Sequence, residues 1–242
     1  MMAEGKRLKK TVFTLDVDNY APEITRLTFP LMRYFAAKIG AEFHVITERK
    51  FPGYPAPYEK LQMYQLGQEM ANDWNIFFDA DTLVHPELID FTEFLSKDTV
   101  ANNGSDMAAI RWTYDQYFRR DGRNIGTCGW CIVASDWCLD LWRPLDGLTY
   151  AEALAHCRPT VEEINSGLID PAHLLDDYVM SRNIARFGLK YTTLNELFKK
   201  VGLVDPVFFW HQYTIPEAEK VKRMKETLEQ WKLPKSFLTY GE

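Results

Sequence analysis

The stretch Asn75-Ile-Phe-Phe-Asp79-Ala-Asp81 decides how the rest of the chain is interpreted. Its isoleucine and two phenylalanines form a short apolar run typical of a buried strand, and two carboxylates one residue apart follow at the end of that run. Carboxylate oxygens are preferred ligands of hard cations, and a bound cation can bridge the oxygens of a diphosphate. The stretch therefore predicts a strand that ends in a metal-diphosphate site at Asp79 and Asp81.

Two strand patterns and two helix patterns come before this stretch. Residues 11–16 and 42–47 are predicted strands, and residues 22–39 are a predicted helix that Pro30 either kinks or divides. A second helix is expected to begin near Glu59. The resulting order of strand, helix, strand, helix, strand predicts a Rossmann-like α/β domain, with a mostly parallel central sheet and helices on both faces. Ligands of such sheets bind at the carboxyl ends of the strands, where Asp79 and Asp81 are expected.

The remaining elements are less regular in pattern. Strands are predicted at residues 107–112 and 130–134, a helix at 174–187, and a charged amphipathic surface helix at 216–231. We expect a single domain over residues 1–242. Its divisions would be a nucleotide-binding half at about 1–84, an acceptor and catalytic half at about 85–215, and a C-terminal helical part at 216–242.

Composition narrows the classes of function. The chain has 242 residues and a formal net charge of −6, so it has no overall positive field that would attract a nucleic acid. No stretch approaches the roughly 20 apolar residues of a membrane span, and the N-terminus lacks the apolar core of a signal peptide. We therefore expect a soluble, cytoplasmic protein. The pair Cys128 and Cys131 is a lone CxxC, so reduced core thiols are expected in preference to a zinc site.

Several segments together resemble the glycogenin-like, retaining glycosyltransferases of the GT-A fold, the family 8 type. The stretch from Tyr58 to Leu66 is similar to their Lys-Leu helix, and the Asp-Ala-Asp-Thr that begins at Asp79 is similar to their metal-binding strand end. Asp18-Asn-Tyr20 resembles their uridine-binding loop, and residues 126–133 resemble their glycine-containing strand. Leu175–Ser181 is similar to the acidic catalytic segment of these enzymes. Trp210-His211 is similar to the C-terminal segment that contains their metal-binding histidine.

The resemblance implies a function and a site. The function would be transfer of a sugar from a nucleotide-sugar donor, expected to be a UDP-sugar, to a hydroxyl acceptor with the help of Mn²⁺ or Mg²⁺. The acceptor could be a glycan, a protein, a lipid-linked sugar or a modified base. The implied metal ligands are Asp79, Asp81 and His211. The implied donor-binding residues are Asp16, Tyr20, Lys60, Asp79 and Asp81, and the implied catalytic residues are Asp177, Asp176 and Lys60.

The chain departs from this family at two places. Thr127-Cys128 stands where an Asn-Ser pair is expected, and Asp176-Asp177 stands where the family has an Asp-Gln pair. The latter segment also resembles the acidic segment of inverting GT-A enzymes, in which the second carboxylate deprotonates the acceptor. Retention is therefore the favoured stereochemistry and inversion stays open.

Other interpretations remain. Asp16 and Asp18 after the first strand resemble the aspartate pair of haloacid-dehalogenase-type phosphohydrolases, although Tyr20 stands where that family has a threonine. A non-catalytic nucleotide-sugar-binding protein would need the same residues. Each candidate residue also has a plainer role: Asp79 as a helix cap with Asp81 in solvent, Lys60 as a solvated lysine, His211 as a packed side chain, and the two acids at Asp176 and Asp177 as a favourable helix start.

Overall fold

The computed structural model describes residues 8–103, 110–112, 117, 120, 129–159, 171–203, 208–212 and 215–241. The strands are β1 (Lys10–Leu15), β2 (Glu42–Ile46), β3 (Trp74–Phe78), β4 (Leu83–Val84), β5 (Thr99–Asn102), β6 (Ile110–Trp112), β7 (Cys131–Ser135), β8 (Cys157–Pro159), β9 (Lys190–Thr193) and β10 (Phe209–Trp210). The α-helices are α1 (Pro22–Lys38), α2 (Met63–Glu69), α3 (Tyr150–His156), α4 (Leu175–Phe187), α5 (Leu194–Lys200) and α6 (Glu217–Trp231). The 3₁₀ helices are Val17–Asn19, Ala56–Gln62, Phe91–Glu93, Asp136–Trp142, Pro171–Leu174 and Lys235–Phe237.

Within the described residues, the central sheet has six strands in the order β2-β1-β3-β7-β5-β9. Strands β2 and β3 are both parallel to β1, β9 is parallel to β5, and β7 is antiparallel to its two neighbours. Only β7 therefore runs against the other strands of this sheet. The prediction of a mostly parallel sheet is confirmed, and its first three strands come in the predicted chain order.

Side chains of the sheet alternate between two apolar layers. Phe13 of β1 and Phe77 of β3 pack in one layer with residues of α4, including Val179. Their chain neighbours, among them Ile76, pack in the other layer with residues of α1, including Phe35. Because successive strand residues point to opposite faces, both faces of a buried strand must be apolar. Helices cover both faces of the sheet, as the sequence predicts.

Helix α1 is continuous from Pro22 to Lys38, with Pro30 buried inside it. The alternative that a second helix begins at Pro30 is therefore wrong. The α-helix predicted to begin near Glu59 begins later in the chain. Glu59 lies within the 3₁₀ helix Ala56–Gln62, and the α-helix begins only at Met63.

The C-terminal helix α6 packs on α1 through a third apolar cluster. Val221, Met224 and Leu228 lie on one stripe of α6 and contact a cluster that includes Leu31 of α1 and Leu83 of β4. This packing fixes the first turn of α6 beside the turn that follows β3. Within the described part of the chain, no helix is both long and apolar enough to span a bilayer.

Two further predictions concern residues near the sheet. The described part of the strand predicted at 107–112 is β6, which pairs with β8 outside the central sheet. Cys131, Cys138 and Cys157 are free and buried, as expected for core thiols, and burial raises the pKa of Cys138 to about 11. Cys128, together with Gly126 and Thr127 of the predicted glycine-containing strand, lies outside the described residues.

Candidate active site

The two carboxylates of the Asp-Ala-Asp motif lie at the carboxyl end of β3, as predicted. Asp79 directly follows the strand, and its N–H donates to the carbonyl of Trp130 at 2.9 Å. A tight turn follows, in which the N–H of Thr82 donates to the carbonyl of Asp79, and the hydroxyl of Thr28 donates to the carbonyl of Ala80. The turn is therefore held from both sides, and Asp81 is buried at 8% exposure. The alternative in which Asp81 faces solvent is wrong.

His211 joins these carboxylates because of a short strand pairing. Trp210 of β10 pairs with Leu83 of β4, which follows the motif by two residues. This register puts the Nε2 of His211 3.3 Å from an oxygen of Asp81 and 3.9 Å from an oxygen of Asp79. The imidazole also stacks on Trp130, with ring centroids 5.2 Å apart.

The three side chains fit a divalent cation. One ligand atom from each of Asp79, Asp81 and His211 lies within 4.8 Å of the others. A Mg²⁺–oxygen bond is about 2.1 Å, so two ligands on opposite sides of such an ion are about 4.2 Å apart. Small side-chain adjustments would bring all three onto one ion. Two carboxylates and an imidazole suit Mg²⁺ or Mn²⁺.

Lys60 connects this motif to the acidic segment of α4. Its Nζ lies 2.7 Å from an oxygen of Asp176 and 3.2 Å from an oxygen of Asp79, and it also donates to the carbonyl of Gly129 at 3.3 Å. Burial alone would lower the pKa of Lys60, but the charges of Asp176 and Asp79 outweigh it and raise that pKa. Lys60 is 2% exposed, so the alternative of a solvated lysine is wrong.

The adjacent acids of α4 diverge, as expected for neighbouring residues in the first turn of a helix. Asp176 faces Lys60, whereas Asp177 accepts a hydrogen bond of 2.8 Å from the N–H of Gly129. Burial and the neighbouring charge of Asp176 raise the pKa of Asp177 well above its ordinary value. Both acids are buried inside a charge cluster, which a favourable helix start alone does not require.

Gly129 is the position where these groups approach the backbone. A Cβ at Gly129 would lie 2.9 Å from an oxygen of Asp177 and 2.9 Å from the Nζ of Lys60. Contacts this short would force Asp177 or Lys60 to shift, and both side chains are buried, so glycine is the residue that fits here without a rearrangement. The glycine of the predicted strand therefore has a steric role in joining the two acidic segments.

Lys220 is a further site residue, outside those predicted from the sequence. It lies in the first turn of α6, is 6% exposed, and its ammonium forms an ion pair with the oxygen of Asp81 that does not face His211. Burial alone would raise the pKa of Asp81, but His211 and Lys220 together lower it. The sequence does carry a signal for it, because Lys220 stands four residues before Met224, on the apolar stripe of the predicted surface helix.

The loop after β1 contains the other predicted donor-binding residues. Asp18, Asn19 and Ala21 all have left-handed backbone conformations, which non-glycine residues rarely adopt. One oxygen of Asp16 is buried and has no hydrogen-bond partner in the described part of the chain. Tyr20 is 42% exposed, and partial burial together with the charges of Asp81 and Asp79 raises its pKa. The loop therefore borders the carboxylate site.

Among the residues that the structure describes, Asp16 and Asp18 share no side-chain partner. The guanidinium of Arg49 binds the carboxylate of Asp18 through two nitrogens, at 2.9 Å and 2.6 Å. Asp18 keeps 59% of its side chain exposed. Among the described residues, the side chains with metal-binding geometry are Asp79, Asp81 and His211. Neither Asp16 nor Asp18 belongs to this group.

No family model matches the chain, and no curated protein matches it. Solved structures, however, are similar to this chain. A glycosyltransferase involved in the glycosylation of the major capsid of PBCV-1 superposes with a TM-score of 0.53 at 13% identity, over 89% of this chain and 98% of the other. The galactosyltransferase LgtC, solved with donor and acceptor sugar analogues, gives a TM-score of 0.42 at 14% identity, over 94% of this chain and 98% of the other. The first likeness confirms the predicted GT-A fold.

Proposed function

We propose that this protein is a metal-assisted glycosyltransferase that moves a sugar from a nucleotide-sugar donor to a hydroxyl acceptor. One observation carries the proposal. The ligand atoms of Asp79, Asp81 and His211 come within 4.8 Å of one another, and Lys60 links Asp79 to the acidic pair of α4. A diphosphate site thus adjoins buried acids at the carboxyl end of the sheet, where ligands of α/β folds bind.

The nucleoside part of the donor is proposed to bind at the loop after β1. The buried oxygen of Asp16 that lacks a partner suits an N–H or O–H donor of a nucleoside, since a buried acceptor is costly when left unbonded. The partly exposed ring of Tyr20 offers a face on which a base can stack. By resemblance, uridine is the base that we propose.

The diphosphate is proposed to lie at the metal ligands Asp79, Asp81 and His211. A divalent cation held there would stabilise the negative charge that develops on the departing nucleoside diphosphate. Lys60 would orient the donor's phosphate or sugar while keeping Asp79 and Asp176 in place. Mn²⁺ and Mg²⁺ are both compatible with this donor set.

The sugar is proposed to lie between Lys60 and the acidic pair of α4, with Asp177 nearest the reacting carbon. We favour retention of configuration, in which Asp177 would act electrostatically on a positively charged transition state. Under inversion, Asp177 would instead be the base that takes the acceptor's proton. The anomeric configuration of the product, measured by NMR, distinguishes the two roles. The acceptor is proposed to be a hydroxyl group of a glycan, a protein, a lipid-linked sugar or a modified base. The protein is proposed to act in the cytoplasm.

The test is calorimetric binding of UDP in Mn²⁺, in Mg²⁺ and in EDTA. We expect tighter binding with either cation, because without one Asp79 and Asp81 leave the charge of the diphosphate uncompensated. Equal affinity in all three buffers would remove the cation from the mechanism. A panel of nucleotide sugars screened by thermal shift with Mn²⁺ then identifies the donor, since binding to the native state raises the melting temperature. Hydrolysis of that donor distinguishes an enzyme from a binding protein.

A further inference from the structure

The two proposed metal-ligating carboxylates already carry one ammonium each. Lys60 lies 3.2 Å from an oxygen of Asp79, and Lys220 forms an ion pair with an oxygen of Asp81. Two carboxylates and two ammonium groups have no net charge between them. Asp176 shares Lys60 and adds one further carboxylate, so a divalent cation enters a cluster whose negative charge is largely compensated.

The two lysines differ in what else holds them. Lys60 has a second and closer carboxylate in Asp176, and it also donates to the carbonyl of Gly129. It can therefore remain buried when Asp79 binds an ion. Within the part of the chain that the structure describes, Lys220 forms one ion pair, with Asp81, so it depends on this carboxylate for its compensation. The lysine that a cation would displace is therefore Lys220.

Both oxygens of Asp81 are engaged in this arrangement. His211 faces one oxygen at 3.3 Å, and Lys220 binds the other. A cation bound by Asp79, Asp81 and His211 must bind the same carboxylate that pairs with Lys220. An ammonium beside a bound divalent cation is repelled by it, and the repulsion is strong because both groups are buried.

We infer that Lys220 competes with the divalent cation for Asp81. The ammonium of Lys220 pairs with this carboxylate in the metal-free protein and leaves it when the cation binds. The inference rests on the proposed metal site. Because the apolar stripe of Val221, Met224 and Leu228 holds α6 against α1, the ammonium leaves by rotation of its flexible side chain. The C-terminal helix thereby sets how tightly the metal binds before any nucleotide arrives.

The first test measures Mn²⁺ binding to the nucleotide-free protein by the loss of the free-ion EPR signal. Lys220→Met should bind Mn²⁺ about tenfold more tightly than the wild type, the size expected for a lost charged hydrogen bond. Lys222→Met is the matched control, since Lys222 is exposed on the same helix and pairs with Glu226, and its affinity should not change. Asp81→Asn should bind most weakly.

The outcomes separate this inference from the proposed function. If Lys220→Met binds no more tightly than the wild type while Asp81→Asn loses binding, the metal site is right and the competition is wrong. If the wild type, Lys220→Met and Asp81→Asn all bind Mn²⁺ equally weakly, the metal site fails and the competition fails with it. An equal gain in Lys222→Met would reduce the effect to general charge and overturn the inference.

The second test follows Lys220 itself in the wild-type protein, so it does not depend on a variant that folds. A lysine-acylating reagent and mass spectrometry report how reactive each amine is with EDTA and with saturating Mn²⁺. Lys220 should be protected in EDTA and react several-fold faster with Mn²⁺, while exposed Lys222 reacts equally in both. Unchanged protection of Lys220 in protein that has demonstrably bound Mn²⁺ would show that the cation does not displace it.

Discussion

The Nζ of Lys60 lies 2.7 Å from the Oδ2 of Asp176, although the two residues are 116 positions apart (176 − 60). The same Nζ reaches Asp79 at 3.2 Å. One buried ammonium thus connects the segment before α2, the end of β3 and the first turn of α4. Each connected carboxylate is partly or fully removed from water, so the stability of this cluster depends on the lysine that joins it.

Lys60→Met should strongly destabilise the protein. The substitution leaves Asp176 buried without its cationic partner, and breaking a buried pair in this way costs about 3–5 kcal/mol. The free energy of unfolding, measured by urea denaturation, should fall by an amount of this order. The exposed pair of Lys190 and Asp98 provides the control, because Lys190→Met removes an ion pair that solvent already screens. Equal effects of the two substitutions would show that burial of the Lys60 pair is unimportant.

Gly129→Ala should lower both stability and turnover. The added Cβ would meet the carboxylate of Asp177 and the ammonium of Lys60 at 2.9 Å, and overpacking of this kind costs about 1–3 kcal/mol. Gly53→Ala is the matched control, since a Cβ there meets nothing within 4 Å. We expect thermal unfolding to report the loss for Gly129→Ala alone. A fully active, fully stable Gly129→Ala variant would contradict the close approach of these three groups.

Much of the fold is predictable because its signals are local. The alternation and apolar runs around Phe13 and Phe77, and the helical spacing in α1, depend only on nearby residues. They suffice for the first three strands and for Asp79 at a strand end. The antiparallel insertion of β7 between β3 and β5 is different, because strand order depends on pairing between distant segments that no local pattern encodes.

The site was predictable only in part, for the same reason. His211 is predicted by resemblance alone. Its place beside Asp81 results from the pairing of Trp210 with Leu83, between two strands too short to show any periodicity. The sequence does not single out Lys220, because a lysine on a charged amphipathic helix is expected to be exposed. Its position on the apolar stripe of α6 becomes meaningful once that stripe is known to pack on α1.

The two aspartate pairs after β1 and β3 should differ sharply when substituted. Asp81→Asn should abolish turnover, because it removes a ligand charge between His211 and Lys220. Asp18→Asn should be much milder, since Asp18 is exposed and bound by Arg49. Steady-state kinetics with the identified donor, together with circular dichroism to verify folding, measure both. The reverse result, with Asp18 essential and Asp81 dispensable, would favour a phosphohydrolase of the haloacid-dehalogenase type.

Asp177→Asn should lower kcat strongly with little change in donor affinity, because the lost interaction would belong mainly to the transition state. The hydrogen bond from the N–H of Gly129 to this side chain can persist with an amide oxygen, so the local geometry should survive. Calorimetric donor binding and single-turnover kinetics separate the two effects. Near-normal turnover in Asp177→Asn beside an inactive Asp176→Asn variant would move the catalytic assignment to Asp176.

The same substitution should stabilise the fold at neutral pH. Burial and the charge of Asp176 raise the pKa of Asp177 well above its ordinary value, which the unfolded chain keeps at about 3.9. Between those two values the folded protein binds more protons than the unfolded chain, so wild-type stability falls as pH rises. Asp177→Asn lacks this titration, so its melting temperature should exceed that of the wild type at pH 7. The difference should shrink as pH falls through about 4 and vanish below about 3, where Asp177 is protonated in both states. Thermal melts across this range measure it, and a wild type more stable than the variant at pH 7 would mean that the charged carboxylate gains more from its contacts than it loses by burial.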